Sequence, residues 1–220
     1  MSGTPALYWS DSQQRIQVYH GDSVEFMRAS PAEAFGSVIT DPPYLRKYLH
    51  LYTDTAREAS RFLVPGGSLL AIVPHFALPH VLTEVGQYLK YRWTFAMWQK
   101  EGKHPRMAMG IEVLWKPVVW WVKGKWKQGQ GFVRDGFANE PAEKRLHQWQ
   151  QSLSWGLHSV SSVAMRPGGQ PVLDPFAGSG TVGEACLRLG VPCTLVELDE
   201  GHCQTIVERI ERVIREGVPT

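Results

Sequence analysis

Short apolar runs alternate with segments of helical spacing along most of the chain. The apolar runs predict strands at 16–19, 37–40, 68–73, 171–174 and 193–197. Helical periodicity predicts helices at 51–63, 76–90, 181–189 and 200–215. Two further β-rich segments, 93–99 and 112–123, are close enough in sequence to pair as an antiparallel hairpin. Strands that alternate with helices indicate an α/β fold with a mainly parallel, doubly wound sheet.

Two motifs follow apolar runs directly. The first is Asp41-Pro42-Pro43-Tyr44, after the run at 37–40. The second follows the run at 171–173 and reads Asp174-Pro175-Phe176-Ala177-Gly178-Ser179-Gly180-Thr181. If both runs form neighbouring parallel strands, both motifs lie at the same carboxyl edge of the sheet, where ligands of open α/β sheets bind. One site would then hold a cofactor and a substrate.

The glycine-rich motif has the strand, turn and helix arrangement that binds nucleotides. Gly178, Gly180 and Gly183 fit the G-x-G-x-x-G pattern. Glu197 ends the next strand, where a ribose-binding acid is expected, although a dinucleotide enzyme would share these features. Asp174 favours S-adenosyl-L-methionine over NAD, because a carboxylate before the turn would repel a pyrophosphate but accept hydrogen bonds from the ammonium group of a methionine moiety.

Asp22 is a further acidic candidate. It follows the first predicted strand and is placed either to accept a hydrogen bond from an adenine amino group or to cap a helix that begins at Ser23; the two roles are compatible. The residues expected to bind the cofactor are Asp22, Asp41, Asp174, Phe176, Ala177, Gly178, Ser179, Gly180, Thr181 and Glu197.

The Asp-Pro-Pro-Tyr motif suits an exocyclic amino group as substrate. Two prolines, Pro42 and Pro43, fix an extended turn and remove two N–H groups, so the Asp41 carboxylate and the Pro42 carbonyl can both face a pocket as acceptors. The amino group has two hydrogens to donate to them, which directs its lone pair at a methyl donor while Tyr44 stacks on the base. These four catalytic candidates predict direct in-line transfer without a cysteine nucleophile or a metal.

The basic residues are unevenly distributed, although a net charge of +2 does not by itself indicate nucleic acid. Positions 100–127 carry seven lysines or arginines and two glutamates, interleaved with tryptophans. Cations with aromatic faces suit a phosphate backbone and unstacked bases. The alternative is a solvated strand pair with its tryptophans in the core, which we favour for Trp120 and Trp121 individually. The candidate nucleic-acid-binding residues are Arg46, Lys47, Lys103 and Arg106, and the candidate contact loops are 103–109 and 128–139.

Composition argues against a membrane protein, a disulfide framework and a zinc site. No apolar run reaches the ~18 residues needed to span a bilayer, and we expect a cytoplasmic protein. Cys186, Cys193 and Cys203 are odd in number and lack the C-x-x-C spacing and paired histidines of a zinc site. Reduced, packed thiols and no metal are therefore expected.

These motifs resemble those of the DNA amino-methyltransferases, the adenine-N6 and cytosine-N4 family, in the permuted order that places Asp-Pro-Pro-Tyr before the cofactor motif. The segment 19–22 is similar to the family's acidic segment, and 172–181 with 195–199 is similar to its cofactor-binding half. The segments 115–124 and 147–152 resemble small phage and plasmid members. The resemblance extends over most of the chain.

The resemblance implies a Rossmann-like S-adenosylmethionine-dependent methyltransferase fold in a single domain, 1–220, with the antiparallel hairpin at the end of the sheet. It implies double-stranded DNA as partner, base flipping, and a role in restriction-modification or host marking in bacteria, and it leaves a homodimer open. Aspartate at position 41 favours adenine N6, because cytosine-N4 members more often carry serine there. In the family the segment matching 147–152 lies against the methionine end of the cofactor, which would place Ser152 there.

The chain departs from its larger relatives in one respect. They insert a long target-recognition region where only the residues 127–146 are available here, so we expect sequence specificity that is short, relaxed or shared with a second subunit. Three alternatives stay open: a cytosine-N4 methyltransferase, a small-molecule or nicotinamide-dependent enzyme with the same glycine turn, and a non-catalytic nucleic-acid-binding protein that retains the cofactor pocket.

Overall fold

The computed structural model describes residues 4–99, 104–106 (backbone only), 110–126, 132–139, 152–164 and 169–217. The strands within these ranges are β1 (Ala6–Ser10), β2 (Ile16–His20), β3 (Phe35–Thr40), β4 (Leu63–Ile72), β5 (Lys90–Gln99), β6 (His104–Arg106), β7 (Ile111–Val113), β8 (Trp115–Val122), β9 (Gly136–Asn139), β10 (Val172–Asp174) and β11 (Cys193–Glu197). The helices are α1 (Ser23–Ala29), α2 (His50–Phe62), α3 (Leu78–Gly86), α4 (Leu153–Val163), α5 (Thr181–Arg188) and α6 (Glu200–Arg215), with 3₁₀ turns at Arg46–Tyr48 and His75–Ala77.

Nine of these strands form one sheet in the order β1-β2-β11-β10-β3-β4-β8-β5-β9. The strands from β2 to β4 in that order are parallel, and β8 is antiparallel to both β4 and β5. The predicted α/β fold with a mainly parallel sheet and an antiparallel hairpin is confirmed. The runs before the two motifs are neighbours, with Val172 beside Ser37 and Leu173 beside Val38.

Helices cover both faces of the sheet, because its strands are apolar on both sides. On one face α1, α2 and α3 pack against residues such as Val38 and Leu173. On the other face α4, α5 and α6 pack against the residues next to these in the strands, such as Ile39 and Val172. Trp120 and Trp121 are consecutive on β8 and therefore enter opposite cores. Both are buried, which confirms the core assignment of these two tryptophans.

Among the described elements, four were not expected from the hydrophobic pattern: β1, β6, β9 and α4. The prediction of a loop over 103–109 is wrong for His104–Arg106, which pairs antiparallel with Ile111–Val113. The prediction of a loop over 128–139 is wrong for Gly136–Asn139, which pairs in parallel with Ala96 to Gln99 of β5. The Ala96 N–H also donates to the Asp135 carbonyl at 2.7 Å, which extends the pairing by backbone contact. The helix predicted at 76–90 is shorter, since a 3₁₀ turn precedes it and α3 ends at Gly86.

The three cysteines are buried free thiols. Burial raises the pKa of Cys193, and the neighbouring Cys186 raises it further, so this thiol stays protonated at neutral pH. Within the described ranges, no helix has the length and apolar character to cross a bilayer. Nor do those ranges bring three metal-ligating side chains of His, Cys, Asp or Glu together.

Close packing of α4 against α5 gives the first testable prediction. Gly156→Ala would place a methyl group 2.9 Å from both Ala185 Cβ and Thr181 O. We expect the free energy of unfolding to fall by about 1–3 kcal/mol in urea denaturation. Gly86→Ala is the control: an added Cβ at this position in α3 has no heavy atom within 4 Å, so the change should be neutral or slightly stabilising. Equal effects of the two substitutions would contradict the packing argument.

Candidate active site

The two motifs meet at the point where the direction of the sheet changes. From β3 the chain continues to β4 on one side, and from β10 it continues to β11 on the other. Ligand crevices of open α/β sheets lie at the carboxyl ends of such a strand pair. Thr40 ends β3 and its hydroxyl donates a 2.8 Å hydrogen bond to Asp174 Oδ1 at the end of β10. The residue directly before the first motif, Thr40, thus contacts the first residue of the second motif, Asp174.

Asp174 is a buried carboxyl group, with 3% of its surface exposed. Its Oδ1 also accepts the Phe176 N–H at 3.2 Å, inside the turn that follows β10. Burial raises the pKa of Asp174 to about 7, the charges of Asp41 and Glu197 raise it further, and the hydrogen bonds from Thr40 and Phe176 oppose the shift. A cationic partner beside Asp174 would therefore stabilise its ionised form and lower its pKa again.

The glycine turn is held open toward the crevice by its backbone conformation. Gly178 has φ +52° and Gly180 has φ +79°, the left-handed region that side chains disfavour. No heavy atom lies within 4 Å of the position that a Cβ of Gly178 would take. The Ala177 N–H donates to the Val196 carbonyl at 3.1 Å, which ties the start of the turn to β11. Thr181 then begins α5, and its backbone stands at the helix amino terminus.

Glu197 anchors this turn. Its Oε2 accepts the Gly178 N–H at 2.8 Å, and its Oε1 accepts the N–H groups of Leu198 and Asp199 at 3.0 Å each. The carboxylate therefore fixes the distance between β11 and the glycine turn. Its predicted contact with a ribose stays a prediction, since these bonds give the side chain a structural role of its own.

Arg209 supports the turn from the side of α6, and sequence reasoning missed it. Its Nη1 donates to the Ser179 carbonyl at 3.0 Å and to the Thr181 hydroxyl at 3.1 Å. Its Nε forms a buried ion pair with Glu184 Oε2 at 2.5 Å, and Arg188 pairs with the other carboxylate oxygen at 2.8 Å. Burial opposes ionisation of Glu184, but the two arginines outweigh it and hold its pKa below the usual value. The one available signal was an arginine on the apolar stripe of an amphipathic helix.

Asp22 lies at the carboxyl end of β2 and caps α1. Its Oδ1 accepts the N–H groups of Val24 and Glu25 at 2.8 and 2.9 Å. The preceding Gly21 donates its N–H to the Glu197 carbonyl at 2.9 Å, so this corner adjoins the end of β11. The capping role is thus present in the geometry, and the contact with an adenine amino group stays a prediction.

The Asp-Pro-Pro-Tyr turn is closed on itself by a side-chain hydrogen bond. The Tyr44 hydroxyl donates to Asp41 Oδ1, which orients both side chains at the end of β3. Pro42 is buried and Pro43 exposed, so the turn has one face against the protein and one toward solvent. Beneath it, burial and the charge of Asp41 raise the pKa of Tyr52, whose hydroxyl donates to the Ile72 carbonyl at 2.9 Å.

Three cation–aromatic pairs surround this turn; we call them the cation–aromatic rim. They are Arg46 over Phe76 at 5.5 Å, Lys47 over Tyr48 at 4.7 Å and Lys116 over Tyr44 at 5.4 Å, each measured to the ring centroid. All three pairs lie at the carboxyl edge of the sheet, since β8 begins where β4 ends. Arg46 and Lys47 thus lie beside the turn, and their contact with nucleic acid stays a prediction.

The remaining predicted contacts are only partly described. Lys103 lies outside the described residues, and Arg106 is described only as backbone in β6. Ser152 is buried at the start of α4 and donates to Asn139 Oδ1 of β9 at 2.6 Å. Its expected position against the methionine end of the cofactor stays a prediction, and 147–151 lie outside the described part of the chain.

The raised pKa of Asp174 predicts a difference in pH-dependent stability between the wild-type protein and Asp174→Asn. The folded-state pKa, about 7, lies above the ordinary value of 3.8, so the folded protein holds this proton more tightly than the unfolded chain. Ionisation therefore destabilises the fold as pH rises through that interval. Relative to the variant, the wild-type free energy of unfolding should fall from about pH 4 to about pH 7 in denaturant titrations. A difference that stays constant with pH would contradict the assignment.

The buried ion pair predicts a large effect of Arg209→Met. Removing the guanidinium deprives the buried Glu184 carboxylate of its ion pair with Arg209 and keeps its ion pair with Arg188. Because a buried charge then loses a partner, the free energy of unfolding should fall by about 3–5 kcal/mol. Arg209→Met with Glu184→Leu should recover most of that loss, because no buried charge is left. Arg215→Met on the same helix removes an exposed pair with Glu211 and should change stability by less than about 1 kcal/mol. A small effect of Arg209→Met would show that the pair contributes little.

No protein-family model matches the chain. A type II methyltransferase of Serratia marcescens, M.SmaI, is 51% identical over 47 residues, which are 21% of this chain and 16% of that protein. Among solved structures, the M1.HpyAVI–SAM complex matches with a TM-score of 0.70 at 20% identity, over 89% of this chain and 99% of that one. The cytosine-N4-specific PvuII DNA methyltransferase matches with a TM-score of 0.79 at 15% identity, over 98% and 94% of the two chains. The chain therefore has the fold of a DNA methyltransferase, as the resemblance of its two motifs implies.

Proposed function

We propose that this protein transfers a methyl group from S-adenosylmethionine to the exocyclic N6 of adenine in DNA. The observation that carries the proposal is the contact of two motifs from distant parts of the chain, through Thr40 and Asp174, at the crevice of the sheet. A glycine turn for a nucleoside and a turn of acceptors for an amino group then adjoin. The short match to M.SmaI and the fold shared with M1.HpyAVI and PvuII support this assignment.

The residues of the glycine turn fit S-adenosylmethionine. Gly178 leaves the backbone open to a ligand, and the buried Asp174 is an acceptor whose ionised form gains from an ammonium group. We retain the predicted cofactor-binding residues in this proposal. Glu197 accepts the Gly178 N–H and Arg209 donates to the Ser179 carbonyl, so these two side chains support the turn from either side. When bound, the cofactor supplies an electrophilic methyl group on a sulfonium. A pyrophosphate would place negative charge beside Asp174, which argues against the nicotinamide alternative.

The Asp-Pro-Pro-Tyr turn would orient the amino group of the substrate. Asp41 and the Pro42 carbonyl accept its two hydrogens, so that the nitrogen lone pair is kept out of the ring and directed along the line of transfer. Tyr44 donates to Asp41, which holds the carboxylate in position. The proton released on transfer goes to Asp41 or to solvent. No covalent enzyme intermediate is required.

DNA is the partner that suits the edge around this turn. Arg46, Lys47 and Lys116 place positive charge beside the catalytic residues, and each lies over an aromatic ring. Because an amino group in a stacked duplex cannot reach the crevice, the target base has to be flipped out. The proposal also includes contacts of Lys103 and Arg106 with DNA. It treats 1–220 as a single domain and leaves a homodimer open.

Cytosine N4 is the second candidate substrate. Its amino group presents similar hydrogens to the same acceptors, and the PvuII protein, whose fold this chain shares, is cytosine-N4-specific. Aspartate at position 41 is the feature that favours adenine. A non-catalytic DNA-binding protein is the third candidate, and it would lack any measurable transfer.

The product distinguishes these candidates. Purified protein is incubated with S-adenosylmethionine and unmethylated DNA, and the DNA is digested to nucleosides for mass spectrometry. N6-methyladenine is the expected product, whereas N4-methylcytosine would keep cofactor and mechanism and change the base. Cofactor binding without any methylated nucleoside would contradict a DNA-modifying activity.

Asp41→Ala should lower the rate of methyl transfer by about 10²–10⁴-fold, because it removes an acceptor of the reacting amino group. Cofactor affinity, measured by calorimetry, should change much less, because Asp174, Glu197 and the glycine turn remain to bind the cofactor. Asp54→Ala is a matched control: this aspartate pairs with Arg57 on the surface of α2 and should leave the rate unchanged. If Asp41→Ala kept the wild-type rate, the catalytic assignment would be wrong.

A further inference from the structure

Two large apolar side chains stand exposed beside the catalytic turn. Leu45 follows Tyr44 directly and is 62% exposed, and Phe76 is 45% exposed in the 3₁₀ turn after β4. Since β3 and β4 are parallel neighbours, both residues lie at the carboxyl edge where the crevice opens. Arg46 stands over the Phe76 ring at 5.5 Å and links the two segments.

Backbone hydrogen bonds fix both segments. The Leu45 carbonyl accepts the Tyr48 N–H at 2.8 Å, which closes the 3₁₀ turn Arg46–Tyr48. The Ala77 N–H donates to the Pro74 carbonyl at 2.9 Å and closes the second turn in the same way. Each apolar side chain is therefore presented to solvent by a short structured turn.

The charges around these side chains suggest their partner. Arg46 and Lys47 are exposed, and Lys116 lies half-buried next to Tyr44, so the apolar pair is bordered by cations. A phosphate backbone complements such a border. An apolar side chain framed by cations is also the arrangement by which proteins insert into a base stack.

Extrusion of a base removes stacking from the duplex, and exposed apolar side chains can replace part of it. The flipped base leaves an empty step in the duplex, and its neighbours lose stacking on both sides. An apolar wedge that enters the step recovers part of that stacking and slows the return of the base.

We propose that Leu45 and Phe76 enter the space that the target base vacates, while Arg46 and Lys47 bind the phosphates on either side of it. This inference rests on the proposed function, because it presupposes a base drawn into the crevice beside Asp41. The inference assigns to Leu45, Phe76 and the two cations beside them a task separate from methyl transfer, which is to hold the duplex open.

The test compares two DNA substrates. The methylated position is first mapped by sequencing plasmid DNA treated with the wild-type protein. Two synthetic duplexes then carry the target base either paired normally or opposite an abasic site, where the base has no pairing partner and is extruded at lower cost. Initial rates are measured for Leu45→Ala with Phe76→Ala. Leu7→Ala with Tyr88→Ala is the matched control, since both residues are exposed elsewhere, Leu7 in β1 at the far edge and Tyr88 beside Arg57 after α3.

The Leu45/Phe76 variant should lose about tenfold or more of its rate on the paired duplex and much less on the abasic one. With 2-aminopurine as the target base, its fluorescence rise on binding should shrink in parallel. The control variant should match the wild-type protein on both duplexes. Equal losses on the two duplexes, or none on either, would overturn the wedge, as would a change in oligomeric state that accompanies the loss. Absence of methylation by the wild-type protein would instead contradict the proposed function.

Discussion

The candidate site depends on the parallel pairing of β3 with β10. These strands are neighbours in the middle of the sheet, and their successors lie on opposite sides. Ligand crevices of open α/β sheets lie at the carboxyl ends of such a strand pair. The hydrogen bond from Thr40 to Asp174 joins the two strands at this edge. The Asp-Pro-Pro-Tyr turn extends from β3, and the glycine turn extends from β10. Their relative position is thus set by backbone pairing and one buried side-chain contact, and not by mobile loops.

The electrostatics of the crevice follow from how its carboxyl groups are held. Asp41 accepts from a tyrosine hydroxyl, Asp174 from a threonine hydroxyl, and Glu197 from backbone N–H groups. These donors are neutral, so they orient the three carboxyl groups without adding positive charge to the site. The buried Arg209 lies behind the glycine turn and is compensated by Glu184. A crevice of this kind favours a cationic ligand, which is why a sulfonium with an ammonium group suits it better than a pyrophosphate.

Much of this arrangement could be predicted from the sequence, because the elements beside the motifs are short apolar strands and strongly periodic helices. The sequence predicted that the two motifs are adjacent only if their strands are neighbours in the sheet. It could not establish that pairing, since pairing between distant strands leaves no local signal. The helix α4 escaped notice because serines and a histidine dilute its apolar stripe. Arg209 and Glu184 look like surface residues until two helices and the glycine turn come together around them.

The two halves of the site are far apart in the polypeptide: Thr40 and Asp174 are separated by 134 residues. The strands β2 and β3 are synthesised early, whereas β10 and β11, which lie between them in the sheet, are synthesised near the end. Pairing over such a separation is slow, because a long segment must be closed before any contact forms. A nascent chain thus carries the Asp-Pro-Pro-Tyr turn for most of its synthesis with β4 available to pair with β3 but without β10, the strand that leads into the glycine turn. The two parts of the candidate site therefore come together only after β10 has been synthesised, and a polypeptide that stops before β10 lacks the glycine turn altogether.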